Sequence, residues 1–116
     1  MNKWFNEDYS FEIEVIEVSH DGMTVNHCRN GDEVGDIYSC TYDCPVNAEG
    51  RGFCSKSMMI AFPIMEAVRS GGDLRNLGGS SENTKEFICP DGVVKFRLTA
   101  KKISENNFHT GGFYKE

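Results

Sequence analysis

The sequence has few basic residues and no long apolar run. Lys and Arg total 12 against 18 Asp and Glu, which gives a formal charge of −6. Clustered cations supply much of the affinity for nucleic acids and anionic membranes, so we expect neither as a partner. The longest apolar run, residues 58–65, is eight residues long and contains Pro63. A membrane-spanning helix needs about 20 apolar residues, so this run is too short to be one.

A signal sequence and a short cysteine pair are also missing. The first eight residues, M-N-K-W-F-N-E-D, contain no apolar signal core, which predicts a cytoplasmic location. In that reducing compartment cysteines are more often free thiols or metal ligands than disulfides. No Cys-x-x-Cys occurs, so the common signature of zinc ribbons and thioredoxins is absent. No Ser/His/Asp order is visible either, and the sequence identifies no reaction.

The length and composition are those of one small globular domain. The chain has 116 residues, of which 39% are hydrophobic and 26% charged. A chain of this size buries enough surface for one modest core without disulfides. We therefore predict a single domain over residues 1–116, with residues 1–10 and 104–116 as less ordered ends.

The first part of the chain predicts a β-meander. Apolar residues alternate with glutamates from residue 11, and the alternation changes phase at Ile16, which predicts a β-bulge near residues 15–16. Two turn signals, Asp21-Gly22 and Asn30-Gly31, follow. They separate the predicted strands over residues 11–18, 23–28 and 37–42.

The second part predicts one helix and two strands. Apolar residues recur at helical spacing over residues 55–69, and Gly71-Gly72 ends the pattern. Pro63 removes an internal hydrogen bond, so it should kink the helix or divide it in two. Residues 73–84 are polar and are interpreted as a loop. The Pro-Asp-Gly connection at residues 90–92 joins predicted strands over residues 85–89 and 93–103.

These elements predict an α+β fold. About five antiparallel strands form a twisted sheet, and one kinked helix covers its apolar face. A sheet that curls into a partly closed barrel is the alternative.

The five cysteines are the most informative residues. Cys40 lies inside a predicted strand, where a thiol fills space as a small hydrophobe does. The other four lie at the ends of predicted elements, where sites are commonly assembled. These four are Cys28, Cys44, Cys54 and Cys89. Plain packing of most of these thiols is the competing interpretation.

The cysteine positions suggest a metal site or a thiol redox site. Thiolates suit zinc or iron, and Cys28, Cys44, Cys54 and Cys89 are the candidate ligands. Cys54 is the candidate catalytic thiol because a helix N-terminus and the nearby Arg51 would both favour its thiolate.

A non-catalytic module with structural cysteines is the alternative function. It would bind a protein partner, a second copy of the chain or a small ligand. The helix carries Met58, Met59 and Met65, and methionine surfaces adapt readily to partners. The acidic group Asp32, Glu33 and Asp36 does not have the spacing of a calcium loop, so a solvated turn is expected there.

The ordered set of cysteine contexts resembles a small, functionally uncharacterised family of single-domain proteins from bacteria and archaea. The set is Cys28, Gly35-Asp36, Cys44-Pro45, Gly52-Phe53-Cys54, Pro63, Gly71-Gly72 and Cys89-Pro90-Asp91-Gly92, followed by Val94 and Phe96. The resemblance runs from Phe11 to Ile103 and implies a cytoplasmic location and shared cysteine positions. It implies no activity. Asp32 stands where that family often has a histidine.

Overall fold

The computed structural model describes residues 7–20, 23–24 and 28–103. The predicted turn at Asp21-Gly22, residues 25–27 of the predicted second strand, and residues 1–6 and 104–116 lie outside this part. The elements confirm the α+β class. In chain order they are β1 (Tyr9–His20), β2 (Met23–Thr24), β3 (Ile37–Cys40), α1 (Ser55–Arg69), a 3₁₀ helix (Leu74–Leu77), β4 (Thr84–Ile88) and β5 (Val94–Lys102).

The strands form an open antiparallel sheet in the order β3-β1-β5-β4. Within the described residues, the two-residue strand β2 pairs only with the far end of β1, at Ser19 and His20. The described strands therefore make a four-stranded sheet with a short β2 extension, and they do not close into a barrel. The prediction of a meander is wrong in one respect, because β3 pairs with β1 and not with β2. Strand β2 contacts only the end of β1, which leaves the edge at Phe11–Glu14 free for β3.

A β-bulge interrupts the pairing of β1 with β5, as the change of phase at Ile16 predicted. Val15 is opposite Phe96 and Glu17 is opposite Lys95, so Ile16 has no partner in the ladder. Because side chains alternate between faces, the extra residue returns Val18 to the face that holds Val15. Both valines are buried as a result.

The core lies between one face of the sheet and helix α1. The sheet contributes large side chains such as Phe11, Ile13 and Phe96, and the helix contributes Ile64 and Met65. All five are at most 5% exposed. Among the described residues, no helix is both long and apolar enough to cross a membrane.

Helix α1 has the predicted limits and continues through Pro63 as one element. Of the two effects expected of Pro63, a kink or a division of the helix, the division does not occur. Proline leaves the carbonyl four residues earlier, that of Met59, without its helical donor. Pro63 lies on the exposed side of the helix and Met59 is 75% exposed, so water can reach this carbonyl.

The polar segment after α1 contains a 3₁₀ helix that the sequence analysis did not predict. Leu74, its first residue, is fully buried. The Asp73 carboxylate accepts a hydrogen bond from the Arg75 N–H at 2.9 Å and so caps the first turn. Gly79 packs so closely that a Cβ there would lie 2.3 Å from the Thr84 carbonyl oxygen. One apolar anchor in a polar segment was too weak a signal for a helix.

Replacing Ile13 with alanine should lower the free energy of unfolding by about 2–5 kcal/mol, because the side chain is fully buried between the sheet and α1. Ile88→Ala is the matched control. Ile88 is 50% exposed, so its replacement should cost less than about 1 kcal/mol. Urea unfolding curves measure both values, and equal losses would contradict this account of the core.

Candidate functional site

Three of the four cysteines predicted to form a site line one cavity of about 490 Å³. We call it the thiol pocket. The turn after Cys28, the N-terminus of α1 at Cys54 and the turn between β4 and β5 at Cys89 meet there. The lining residues are His20, Cys28, Arg29, Asn30, Asp32, Cys54, Lys56, Ser57, Cys89, Pro90, Asp91, Val93, Val94 and Phe96.

Two of the cysteines begin the same kind of turn. Residues 28–31 read Cys-Arg-Asn-Gly and residues 89–92 read Cys-Pro-Asp-Gly. In each turn the glycine N–H donates to the cysteine carbonyl oxygen, at 3.0 Å in the first and 2.8 Å in the second. The glycines have φ values of +73° and +76°, which side-chain-bearing residues rarely adopt. The Cys-x-x-Gly spacing therefore encodes a repeated local structure.

The two turns also hold their sulfur atoms in the same way. The Asp32 N–H donates to Cys28 Sγ at 3.1 Å, and the Val93 N–H donates to Cys89 Sγ at 3.3 Å. In both cases the donor lies four residues after the cysteine. Cys89 Sγ accepts a second bond from the Val94 N–H at 3.3 Å. Backbone donors thus fix both sulfur atoms at the pocket wall.

Cys54 lies immediately before the first residue of α1, where the sequence placed it. It is the N-cap residue, and its side chain makes no capping hydrogen bond. Arg51 does not act as the sequence analysis expected. Its guanidinium donates to the Tyr38 hydroxyl at 3.0 Å and to the Asp36 carboxylate at 3.3 Å. Of the two features predicted to lie beside Cys54, the structure therefore places the helix N-terminus there, whereas Arg51 is paired with Tyr38 and Asp36.

Cys40 and Cys44 lie apart from the thiol pocket. Cys44 is exposed in the loop after β3, and Cys40 is the half-buried last residue of β3. Burial and, to a smaller extent, the nearby Asp43 carboxylate raise the pKa of Cys40 to about 12, so this thiol stays protonated at neutral pH. Among residues 7–20, 23–24 and 28–103, no group of three or more His, Cys, Asp or Glu side chains is arranged to hold a metal ion.

The acidic turn predicted to be solvated contains a buried carboxylate. Asp32 is only 2% exposed, so the interpretation is wrong for this residue. Its Oδ1 accepts hydrogen bonds from the Tyr38 hydroxyl and, at 3.2 Å, from the Asn30 amide. Arg51 Nη2 lies 3.7 Å from the same oxygen. Burial, followed by the Asp32 carboxylate, raises the pKa of Tyr38 to about 12, although Arg51 opposes the shift.

Two buried polar atoms of the pocket residues have no hydrogen-bond partner among the residues that the structure describes. They are Oδ2 of Asp32 and Oγ of Ser57, and Ser57 is fully buried in the first turn of α1. A buried polar atom without a partner costs free energy, so such atoms are uncommon in folded proteins. Sequence analysis assigned Asp32 to a solvated turn and did not name Ser57, because no local pattern distinguishes a buried Asp or Ser from a solvated one.

Two of the pocket-lining residues form an ion pair. Lys56 Nζ lies 2.6 Å from Asp91 Oδ1, and it joins the first turn of α1 to the turn between β4 and β5. Lys56 lowers the pKa of Asp91 through this bond. The pair links two of the three segments that carry the pocket cysteines.

The helix methionines give little support to the alternative of an interaction surface. Met65 is 1% exposed and belongs to the core, and Met58 is half-buried. Met59 is 75% exposed, and Phe62, one turn later, is 47% exposed. Of the three helix methionines, Met59 is therefore the exposed one, and Met65 cannot form part of an interaction surface.

Comparisons of the chain with protein-family models, curated proteins and solved structures found no match. The resemblance to the cysteine-containing family therefore stays a prediction.

Tyr38→Phe should lower the free energy of unfolding by about 1–3 kcal/mol at pH 7, because it removes a donor from the buried Asp32 carboxylate. The folded protein raises the pKa of Tyr38 from about 10 to about 12. The protonated Tyr38 hydroxyl therefore makes its full contribution to the free energy of unfolding below pH 10, and this contribution is lost as the pH rises toward 12. The difference between the two proteins should shrink over that range.

Urea unfolding at a series of pH values measures this effect. Tyr42→Phe is the control, since Tyr42 is 64% exposed. A stability difference for Tyr38→Phe that stays constant from pH 8 to pH 12 would contradict the assignment.

Proposed function

We propose that the chain is a small-molecule-binding protein whose binding site is the thiol pocket. The observation that carries the proposal is the convergence of Cys28, Cys54 and Cys89 with two unpartnered buried polar atoms on one cavity. Its volume of about 490 Å³ lies within the range of about 300–1,000 Å³ that is typical of ligand sites.

The wall has the composition of a ligand site. Val93, Val94 and Phe96 form an apolar surface, and Asp32 and Ser57 add polar atoms at separate points. Binding sites for small molecules combine a mainly apolar lining with a few placed polar groups that set orientation. The pocket therefore suits a compact molecule with an apolar body and at least one polar group.

The three thiols differ in the part they play in this proposal. Cys28 and Cys89 accept backbone hydrogen bonds, so their sulfur atoms are fixed contact points. Cys54 makes no capping hydrogen bond and lies at the N-terminus of α1, whose first N–H groups have no helical acceptor. We therefore assign thiol chemistry at this site to Cys54.

Binding of a soft metal ion is the second candidate function. The repeated Cys-x-x-Gly turns favour it, since metal-bound ligands are commonly oriented by hydrogen bonds of this kind. Cys28, Cys54 and Cys89 would be the ligands of zinc or iron. Cys44 lies outside the pocket and would join them only if its loop moved. This candidate ranks second because the described residues contain no ready-made metal-binding group.

The proposal predicts that a bulky residue at position 54 blocks ligand binding. Cys54→Phe should weaken the binding of N-phenyl-1-naphthylamine, a small neutral fluorescent probe, by about tenfold or more because the ring occupies the pocket. Cys44→Phe is the matched control and should change the affinity by less than about twofold, because Cys44 is exposed elsewhere. Fluorescence titration measures the affinities, and thermal unfolding shows that both variants fold.

Thiol labelling gives an independent reading on the native chain. The bound probe should slow alkylation of Cys54 by iodoacetamide and leave the rate at Cys44 unchanged. Equal probe affinity in the two phenylalanine variants, or no protection of Cys54, contradicts the proposal.

Elemental analysis of protein purified without oxygen and without an affinity metal tests the second candidate. About one zinc or iron per chain, lost on Cys28→Ser and Cys89→Ser, would establish a metal site in place of the proposed one.

A further inference from the structure

We infer that the molecule bound in the thiol pocket carries a hydrogen-bond donor, an amine or a hydroxyl group, that pairs with the Asp32 carboxylate. This inference rests on the proposed function and names the chemistry of its ligand. It follows from the state of one oxygen atom, Oδ2 of Asp32, which is buried, belongs to a pocket-lining residue and has no partner within the described part of the chain.

The chemistry of the carboxylate decides whether the missing partner is a hydrogen-bond donor or an acceptor. An ionised carboxylate only accepts hydrogen bonds, so the group that completes it must donate one. The neighbouring donors serve the other oxygen, since the Tyr38 hydroxyl and the Asn30 amide both donate to Oδ1. Oδ2 is therefore the oxygen of this buried carboxylate that lacks a donor among the described residues.

The carboxylate is held in place rather than free to turn. Its own backbone N–H donates to Cys28 Sγ, and Tyr38 holds Oδ1. The Tyr38 hydroxyl is fixed in turn by Arg51, which donates to it at 3.0 Å. A fixed acceptor binds a donor at low entropic cost, which is the advantage of a preorganised site. Asp32 is thus suited to select ligands by the position of a donor group.

Ser57 offers a contact for a second polar atom of the same molecule. Its hydroxyl lies in the first turn of α1, is fully buried and has no partner. A hydroxyl can donate or accept, so it does not restrict the ligand as strictly as Asp32 does. The apolar side chains Val94 and Phe96 complete the description. The ligand class is a small apolar molecule with an amine or hydroxyl head group.

Three probes of similar shape test the inference: benzylamine, benzyl alcohol and benzoate. The amine and the alcohol carry donors, whereas benzoate carries only acceptors at neutral pH. Two-dimensional NMR titration of the full chain measures the three affinities. We expect benzylamine to bind about tenfold or more tightly than benzoate, because its donor bond is charge-assisted. Benzyl alcohol should fall between the two, and equal affinity for amine and alcohol would identify a neutral donor as sufficient.

Asp32→Asn is the decisive variant. Asparagine keeps an oxygen for the Tyr38 hydroxyl and replaces the second oxygen with an NH₂ group, so the preference for donors over benzoate should disappear. Asp43→Asn is the matched control, because Asp43 is exposed in the loop after β3 and lies apart from the thiol pocket. The preference should remain in that variant.

The outcomes separate the two proposals. If none of the probes shifts the signals of pocket residues, the proposed function fails. If all three bind equally and Asp32→Asn changes nothing, small-molecule binding stands and the role of Asp32 is overturned. If Asp32→Asn weakens all three probes by the same factor, Asp32 acts only by supporting the fold and the inference is again overturned.

Discussion

The antiparallel pairing of β1 with β5 is the interaction on which the rest of the structure depends. It runs from Tyr9 opposite Lys102 to Val18 opposite Val94, and the Ser19 N–H extends it by donating to the Val93 carbonyl at 2.7 Å. Strands β3 and β4 add to the two outer edges of this pair, and α1 covers one face. The pairing also fixes the end of the sheet at which the turn carrying Cys89 must lie, which is the end of the thiol pocket.

The bulge at Ile16 allows the paired strands to contribute both to the core and to the wall of the pocket. Without the extra residue Val18 would face away from the core, because a shift of one residue moves a side chain to the other face. With it, the strand stays apolar on the core side as far as the pocket. Phe96 then connects core and site, since it lines the pocket and packs against Phe53 with ring centres 5.1 Å apart. Phe53 directly precedes Cys54, so core packing positions the N-terminus of α1.

Features with a local cause could be predicted from the sequence. The limits of α1, the bulge near Ile16 and the hairpin of β4 and β5 each follow from a periodic pattern or a turn motif within a few residues. Features set by distant residues could not. Strand β3 pairs with β1 because β5 occupies the other edge of β1 and the short β2 covers only one end of the remaining edge. No local sequence pattern indicates this pairing. The burial of Asp32 depends on Tyr38 and Arg51, which come later in the chain.

The cysteine site was predicted in part from the sequence. Their positions at element ends indicated a shared site, and three of the four do line one cavity. The spacing of the cysteines could not predict which three share the cavity. Cys44 lies in an irregular loop, and only the folded chain defines the path of that loop. The two Cys-x-x-Gly segments are visible in the sequence, although they were interpreted only as turns. Their meaning depends on the hydrogen bonds that the sulfur atoms accept, which require the backbone path after the glycine.

The chain retains polar groups in this pocket that an optimally stable protein would not. Unpartnered buried atoms at Asp32 and Ser57 oppose folding, and apolar replacements of similar size would remove that cost. Departures from local consistency of this kind are expected at functional sites, where stability is lost in exchange for a prepared contact. Hydrogen bonds with Tyr38, Asn30 and Cys28 hold Asp32 in place. Under the proposed function, the bound ligand would supply the donor that this carboxylate lacks.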